Sequence, residues 1–159
     1  VDESYFPLTI FILITSKQKK EVSSRIGMQV STETSPFYNA WINSTKDDIE
    51  SLHSAILNKD FETMAEISME SCIKMHSVMM TSKPPMFYWN RNTYAIIEFV
   101  RNLHFLKYPI FFTIDAGPQV KIITIPEESE KILKKIKDLN NILKLYVVNL
   151  GSGATILER

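Results

Sequence analysis

Apolar residues form two kinds of pattern along this chain: short continuous runs, and stripes that repeat every three or four residues. The runs at 8–16, 109–114, 120–125 and 143–148 are rich in β-branched and aromatic residues, which is typical of strands. Between the second and third runs, the turn-forming residues 115–119 predict a hairpin or a similarly tight connection. The runs therefore predict a sheet of about four strands.

Helical periodicity occupies the segments between these runs. Apolar residues repeat at three- and four-residue intervals across 46–58 and along a methionine-rich stripe from Phe61 to Met79. The predicted helix starts carry capping residues or an early proline, at Ser35-Pro36, at Asp60, at Asn92 or Thr93, and at Pro126. The third of these helices is expected to bury Tyr94, Ile97, Val100 and Leu103.

The order of these elements indicates the fold class. A strand is followed by three helices, two strands, a helix and a last strand, while residues 23–28 show neither period. This order predicts an α+β fold in which a mainly antiparallel sheet is covered by helices. The chain of 159 residues fits a single domain, 1–159. Because its first strand begins within the first ten residues, the chain reads as part of a longer protein.

Composition narrows the classes of function. Lys plus Arg equals Asp plus Glu at 18 each, so the chain has no long-range field to attract nucleic acid or an anionic membrane. Cys72 is the sole cysteine and the three histidines are scattered, so neither an internal disulfide nor a metal site is expected. The apolar run after Asp2 and Glu3 is too short to span a bilayer and lacks the cationic start of a signal peptide. We therefore expect a cytoplasmic protein without nucleic-acid or membrane partners.

Asp115 is the first candidate for chemistry. It follows an apolar run and precedes Gly117-Pro118, so its carboxylate is expected at a rigid strand end beside backbone that a ligand can approach. The alternative is a turn aspartate that hydrogen-bonds to its own backbone. The pattern alone leaves both interpretations open.

Ser23-Ser24-Arg25 with Gly27 is the second candidate. Two hydroxyl groups, a guanidinium fork and a flexible glycine suit an anion, because arginine binds phosphate oxygens through two hydrogen bonds. The same residues also occur in ordinary solvated loops, and the motif alone does not decide between these interpretations.

Other features favour structural roles or stay open. His76 lies near the end of the methionine-rich stripe, and Cys72 within that stripe reads as a core residue. The aromatic residues 87–89 are expected either to line a pocket or to cover a core edge. Gly151-Ser152-Gly153 lacks the spacing and the Lys-Ser/Thr ending of a phosphate-binding loop.

The motifs follow one another in an order that is similar to that of a known family. They are Ser23-Ser24-Arg25-Ile26-Gly27-Met28, then Glu33-Thr34-Ser35, Met75-His76, Pro84-Pro85-Met86-Phe87-Tyr88-Trp89 and Thr113-Ile114-Asp115-Ala116-Gly117-Pro118. Together they resemble the carboxy-terminal half of the mevalonate diphosphate decarboxylases, a family of the GHMP kinase superfamily, over almost the whole chain. The resemblance implies the fold of a GHMP kinase C-terminal domain.

The same resemblance implies a lyase of the mevalonate pathway to isoprenoids and sterols. Members use ATP and Mg2+ to phosphorylate the 3-hydroxyl of mevalonate 5-diphosphate, and loss of that phosphate with carbon dioxide gives isopentenyl diphosphate. It implies that Asp115 orients or deprotonates the hydroxyl, that Ser24, Arg25 and Met28 contact the substrate, and that the enzyme is a homodimer. The family's ATP-phosphate loop lies in an amino-terminal half that this sequence does not contain, so these residues alone are expected to be inactive.

Two other functions stay open from the sequence. A related mevalonate or phosphomevalonate kinase or decarboxylase shares the scaffold and differs in the phosphates that it binds. A non-catalytic dimerisation or binding domain needs neither candidate site. Convergence of Arg25 and Asp115 on one cleft favours an enzyme, because a substrate site requires both groups to reach one ligand.

Overall fold

A four-stranded sheet organises the fold. The computed structural model describes residues 2–140 and 142–153. The strands are β1 (Thr9–Ile14), β2 (Ile110–Thr113), β3 (Val120–Thr124) and β4 (Lys144–Asn149). Their order is β2-β3-β1-β4, and each neighbouring pair is antiparallel. The predicted antiparallel sheet and the predicted hairpin between its second and third strands are therefore confirmed.

Five helices accompany the sheet within the described residues. They are α1 (Ser24–Thr34), α2 (Tyr38–Leu57), α3 (Phe61–Met80), α4 (Arg91–Phe105) and α5 (Pro126–Lys137). Across residues 2–140 and 142–153, none of the helices combines the length and the apolar character that a bilayer-spanning helix requires.

The core forms two clusters that share strand β2. Phe112 belongs to the larger cluster, with Phe11 and Leu13 of β1 and the buried faces of α4 and α5. The adjacent Phe111 belongs to the smaller cluster, which α3 and the end of α2 cover through Met64 and Ala55. Because successive strand residues point to opposite faces, β2 is fixed on both sides just before Asp115.

Helix α1 corrects the prediction that residues 23–28 have no regular structure. The Ser23 hydroxyl accepts a hydrogen bond from the Ile26 amide at 3.3 Å and caps the helix. The residues that α1 buries are Gly27 and Ser31, four positions apart. These small residues share one helical face without forming an apolar stripe, so a search for hydrophobic periodicity misses the helix. Four helices therefore precede the hairpin, rather than three.

Two predicted helix starts also move. Helix α2 begins at Tyr38 rather than at Ser35-Pro36, because Ser35 ends α1 through a 3.0 Å bond from its amide to the Ser31 carbonyl. Helix α4 is capped by Asn90, rather than by Asn92 or Thr93. Thr93 instead completes a capping box, in which its hydroxyl accepts from the Asn90 amide at 3.2 Å.

Most other expectations about these elements are confirmed. Asp60 caps α3 through a 3.0 Å bond from the Thr63 amide, and Pro126 begins α5. Cys72 is buried, as predicted. Tyr94 is the exception on α4: it is half exposed, because its ring packs edge-on against Trp89, 5.3 Å between centroids, instead of entering the core. The first strand ends at Ile14, two residues earlier than the apolar run predicts.

The capping of α4 leads to a stability prediction. Asn90→Ala removes the side chain that accepts the Thr93 amide at 2.9 Å, so the free energy of unfolding should fall by about 1–2 kcal/mol. Asn90→Ser retains a capping oxygen and should lose much less. Urea unfolding of the two variants beside the parent chain measures the difference, and equal losses in both variants contradict the capping role.

Candidate active site

Asp115 projects from the end of β2 into solvent. Ile114 immediately before it is 2% exposed, whereas the Asp115 side chain is 80% exposed. Its carboxylate accepts a hydrogen bond from the Lys121 ammonium, with 2.5 Å between Nζ and Oδ2. The alternative interpretation was that the Asp115 side chain bonds to the backbone of its own turn, and the structure does not show such a bond. The carboxylate pairs with a cation on β3 instead.

The turn after Asp115 is fixed by hydrogen bonds to two other elements. The Pro118 carbonyl accepts from the Thr93 hydroxyl at 2.7 Å and from the Thr15 hydroxyl at 3.0 Å. The Gln119 amide group adds two bonds to the end of β1, accepting from the Thr15 amide and donating to the Ser16 carbonyl, each at 2.6 Å. Thr93 and Thr15 are themselves buried, so these bonds also satisfy groups that are costly to leave without partners.

Gly117 is required by the shape of this turn. Its φ of +91° lies in the region that disfavours residues with a Cβ atom. An added Cβ would also lie 3.1 Å from the Tyr88 carbonyl oxygen and 3.3 Å from Cδ1 of Trp89. The turn that carries Asp115 is therefore in close contact with the backbone and the indole ring of residues 88 and 89.

A buried histidine lies beneath the Asp115 turn. His76 of α3 is 2% exposed, and its Nε2 lies 3.2 Å from the indole nitrogen of Trp89 and 3.3 Å from the Ile114 carbonyl oxygen. Because an indole N–H only donates, the bond from Trp89 makes Nε2 an acceptor. The Ile114 carbonyl then takes its hydrogen bond from the Cys72 thiol, 3.6 Å away.

Burial determines the protonation of both groups. It lowers the pKa of His76 below its usual value, against the opposing effect of the backbone at Ile114 and Asp115. Burial also raises the pKa of the Cys72 thiol to about 11. A neutral imidazole and a neutral thiol therefore support the strand end. The structural role predicted for His76 agrees with this, but it is a neutral packing and hydrogen-bonding role rather than that of a cation at a helix end.

The second candidate site lies at the start of α1. Ser24 and Arg25 are exposed in its first turn, and Met28 is half-buried one turn later. The first turn contains no acidic residue, so the positive end of the helix and the Arg25 guanidinium face solvent without a nearby carboxylate on α1. The sequence suggested that Gly27 is a flexible residue of a loop, and this is wrong. It is a buried helical residue.

Tyr88 connects the two candidate sites. Its hydroxyl occupies the space that a Cβ on Gly27 would fill, and it donates a 3.3 Å hydrogen bond to the Ser23 carbonyl. The backbone of the same tyrosine contacts Gly117. The start of α1 and the Asp115 turn therefore flank one short segment, Met86–Trp89. Within the described residues no hydrogen bond or ion pair joins Asp115 to Arg25, and their convergence on one ligand stays a prediction.

Two cavities adjoin these sites. One, of about 360 Å³, has Asp115 at its margin and is lined by Trp41, Ser71 and Met75 of α2 and α3. The other, of about 410 Å³, is lined by Tyr88 and Trp89 together with Lys19 and Lys20. The aromatic segment therefore lines a pocket as well as covering the core edge.

The basic residues before α1 are further candidates for ligand contact, which the sequence pattern alone does not indicate. Lys20 lies over the Tyr88 ring, 5.6 Å from its centroid. The signal was present in the run Lys17-Gln18-Lys19-Lys20, but only the fold brings that run beside the aromatic segment. Two ammonium groups, those of Lys19 and Lys20, and one carboxylate, that of Glu21, therefore line this cavity.

The sequence of this chain matches the model of a known protein family. Residues 10–148 match the model described as the mevalonate 5-diphosphate decarboxylase C-terminal domain. The chain belongs to this family. The resemblance of its motifs and the predicted α+β fold are thereby confirmed.

Individual relatives agree with the family match. The diphosphomevalonate decarboxylase of Schizosaccharomyces pombe is 32% identical, over 98% of this chain and 40% of its own length. Among solved structures, MDDEF in complex with MVAPP, AMPPCP and magnesium is 29% identical with a TM-score of 0.84, covering 95% of this chain and 46% of its own. The mevalonate diphosphate decarboxylase of Staphylococcus aureus is 30% identical with a TM-score of 0.80, covering 93% and 44%. The chain thus spans less than half the length of these decarboxylases.

The buried histidine leads to a pH prediction. Since the pKa of His76 is lower in the folded chain than the usual 6.5, the unfolded chain binds the extra proton more readily. Its contribution to stability is therefore present above about pH 6.5 and is lost as the pH falls through the folded-state pKa. Urea unfolding at about pH 7.5 and about pH 5.5 should show a smaller pH-dependent loss in His76→Gln than in the parent. An equal loss in both proteins contradicts a neutral, buried His76.

Proposed function

We propose that this chain is the carboxy-terminal, substrate-binding part of an ATP-dependent enzyme that converts mevalonate 5-diphosphate to isopentenyl diphosphate. The observation that carries the proposal is the exposed Asp115 carboxylate on the fixed Asp-Ala-Gly-Pro turn of a domain from this family. The MVAPP, AMPPCP and magnesium bound by the relative MDDEF support the same substrate and cofactors, mevalonate diphosphate, ATP and Mg2+.

Asp115 is proposed to act on the 3-hydroxyl of the substrate. A tertiary alcohol is a poor nucleophile, and a positioned base that accepts its proton typically contributes about 10²–10⁴-fold in rate. The 80% exposure of the Asp115 side chain leaves it accessible to a bound substrate. The rigid strand end beneath it restricts the positions that its carboxylate can adopt, which is the geometric condition for such a base.

Ser24, Arg25 and Met28 are proposed to hold the substrate. Arg25 supplies the fork of donors that an anionic carboxylate or phosphate oxygen requires, and Ser24 adds a hydroxyl in the same helical turn. Met28 lies one turn further along α1, where its side chain contributes an apolar contact. The Tyr88 contact with the start of α1 supports a common site with Asp115.

ATP and Mg2+ are proposed to bind mainly through the part of the protein that this chain does not include. The described residues contain no group of three or more His, Cys, Asp or Glu side chains arranged to hold a metal ion. The carboxylate of Asp115 is already paired with Lys121. No step of the proposal is therefore assigned to a metal ion held by the described residues of this chain.

The assembly and location of the enzyme are further parts of the proposal. We propose a cytoplasmic homodimer. Phe105 and Leu106, which are 85% and 65% exposed at the end of α4, form an apolar pair of the kind that favours association. A single buried cysteine is consistent with a reducing compartment.

Asp115→Asn in the complete decarboxylase is the direct test. Turnover of mevalonate diphosphate should fall by roughly 10²–10⁴-fold, because asparagine cannot accept the hydroxyl proton, while the affinity for the substrate is retained. Phosphate and carbon dioxide release measure turnover, and calorimetry measures affinity. Asp47→Asn, on the exposed part of α2, is the matched control and should leave both unchanged.

Each contrary outcome points to a different error. Full activity of Asp115→Asn removes the proposed role of this carboxylate. Turnover of mevalonate or a monophosphate, but not of the diphosphate, keeps the scaffold and replaces the substrate. Absence of turnover with each of these compounds in the parent enzyme favours a binding domain.

A further inference from the structure

Lys121 is the cation nearest to the proposed catalytic carboxylate, and it is better fixed than its partner. Its side chain is 35% exposed, against 80% for Asp115, and the two charged atoms lie 2.5 Å apart. The pair spans the hairpin, because Lys121 lies on β3 and Asp115 directly follows the end of β2. The ammonium group is therefore the anchored partner, and the carboxylate is the group that it restrains.

The sheet explains why Lys121 is well placed for this. Lys121 pairs with Thr113 of β2 on one side and with Ile12 of β1 on the other. The backbone of a residue that is paired with strands on both sides has little freedom, so the position of the Lys121 Cα atom is fixed. Asp115, by contrast, lies beyond the last residue of β2, and among the described residues its side chain hydrogen-bonds to Lys121.

The pair contributes little to the stability of the fold. Exposed ion pairs lose most of their attraction to solvent screening and side-chain entropy, and Asp115 is largely exposed. The pair can nevertheless determine the orientation of the Asp115 carboxylate. A general base must hold a defined position relative to the proton that it accepts, and small misplacements reduce rates strongly.

We propose that Lys121 is a positioning residue for Asp115 in the decarboxylase reaction. The inference rests on the proposed function. The ammonium donates to Oδ2, which orients the carboxylate and leaves Oδ1 to accept the proton of the substrate hydroxyl. Lys121 keeps its own proton throughout, so no charge or atom is transferred through it. The class of substrate is a tertiary alcohol that is presented to Oδ1.

Substitutions at Lys121 in the complete enzyme test the inference. Lys121→Met removes the charge and keeps the length of the stem, whereas Lys121→Gln removes the charge and places a neutral amide on a shorter stem. In both variants kcat should fall by roughly 10- to 100-fold with substrate affinity changed by less than about threefold. Lys121→Arg retains a cationic donor and should recover part of kcat. Lys107→Met is the control, because it also breaks an exposed ion pair. Lys107, in the segment after α4, lies 2.6 Å from Glu62 of α3.

A double variant separates action through Asp115 from a general structural effect. In Asp115→Asn, the added Lys121→Met change should lower kcat by less than about twofold, because the group that Lys121 positions is already disabled. Urea unfolding of each variant verifies that the fold is retained. The Lys107→Met enzyme should keep its parent kcat.

The outcomes distinguish this inference from the proposed function. A large loss in Asp115→Asn with full kcat in both Lys121→Met and Lys121→Gln overturns the positioning role alone. Losses at Lys121 that persist unchanged in the Asp115→Asn background also overturn it, because the lysine then acts elsewhere. Full activity of Asp115→Asn overturns the proposed role of the carboxylate, and the inference with it.

Discussion

The fixed turn after β2 is the constraint on which the rest of the site depends. The carbonyl of Pro118 accepts hydrogen bonds from two buried hydroxyls, those of Thr15 and Thr93, which connect the turn to the residue after β1 and to the first turn of α4. A buried hydroxyl or carbonyl group without a hydrogen-bond partner costs free energy, so separating any of these three segments would destabilise the others. Gly117 allows the backbone to approach Tyr88 and Trp89 closely enough for this arrangement.

The site combines a rigid support with one exposed side chain, that of Asp115. Beneath the turn, the neutral His76 and the Trp89 indole fill the space against the Ile114 carbonyl. Above it, Asp115 reaches solvent and is held by Lys121. The proposed role of Asp115 as a base requires a carboxylate that is accessible and oriented, and both properties are present here. Tyr88 extends the same support to the first turn of α1, where Arg25 is exposed.

The sequence predicts much of this and misses the rest for physical reasons. Apolar runs of β-branched residues are a local signal, so the four strands and the hairpin that carries Asp115 are predictable. Helix α1 is not, because Gly27 and Ser31 bury its face without an apolar stripe. The pairing of Asp115 with Lys121 depends on the register of β2 and β3, which the pattern of apolar residues does not specify. The roles of the site residues enter through the family resemblance, since an Asp-Ala-Gly-Pro turn by itself does not identify a reaction.

The most direct test of the account is a crystal structure of the complete decarboxylase with mevalonate diphosphate bound. The central claim is that Asp115 and the start of α1 act on the same ligand molecule. We expect a carboxylate oxygen of Asp115 within about 3.2 Å of the 3-hydroxyl, and the Arg25 guanidinium within about 3.2 Å of an anionic oxygen of that molecule. A substrate that binds with its 3-hydroxyl beyond the reach of Asp115, or that contacts Asp115 without Arg25, contradicts the claim.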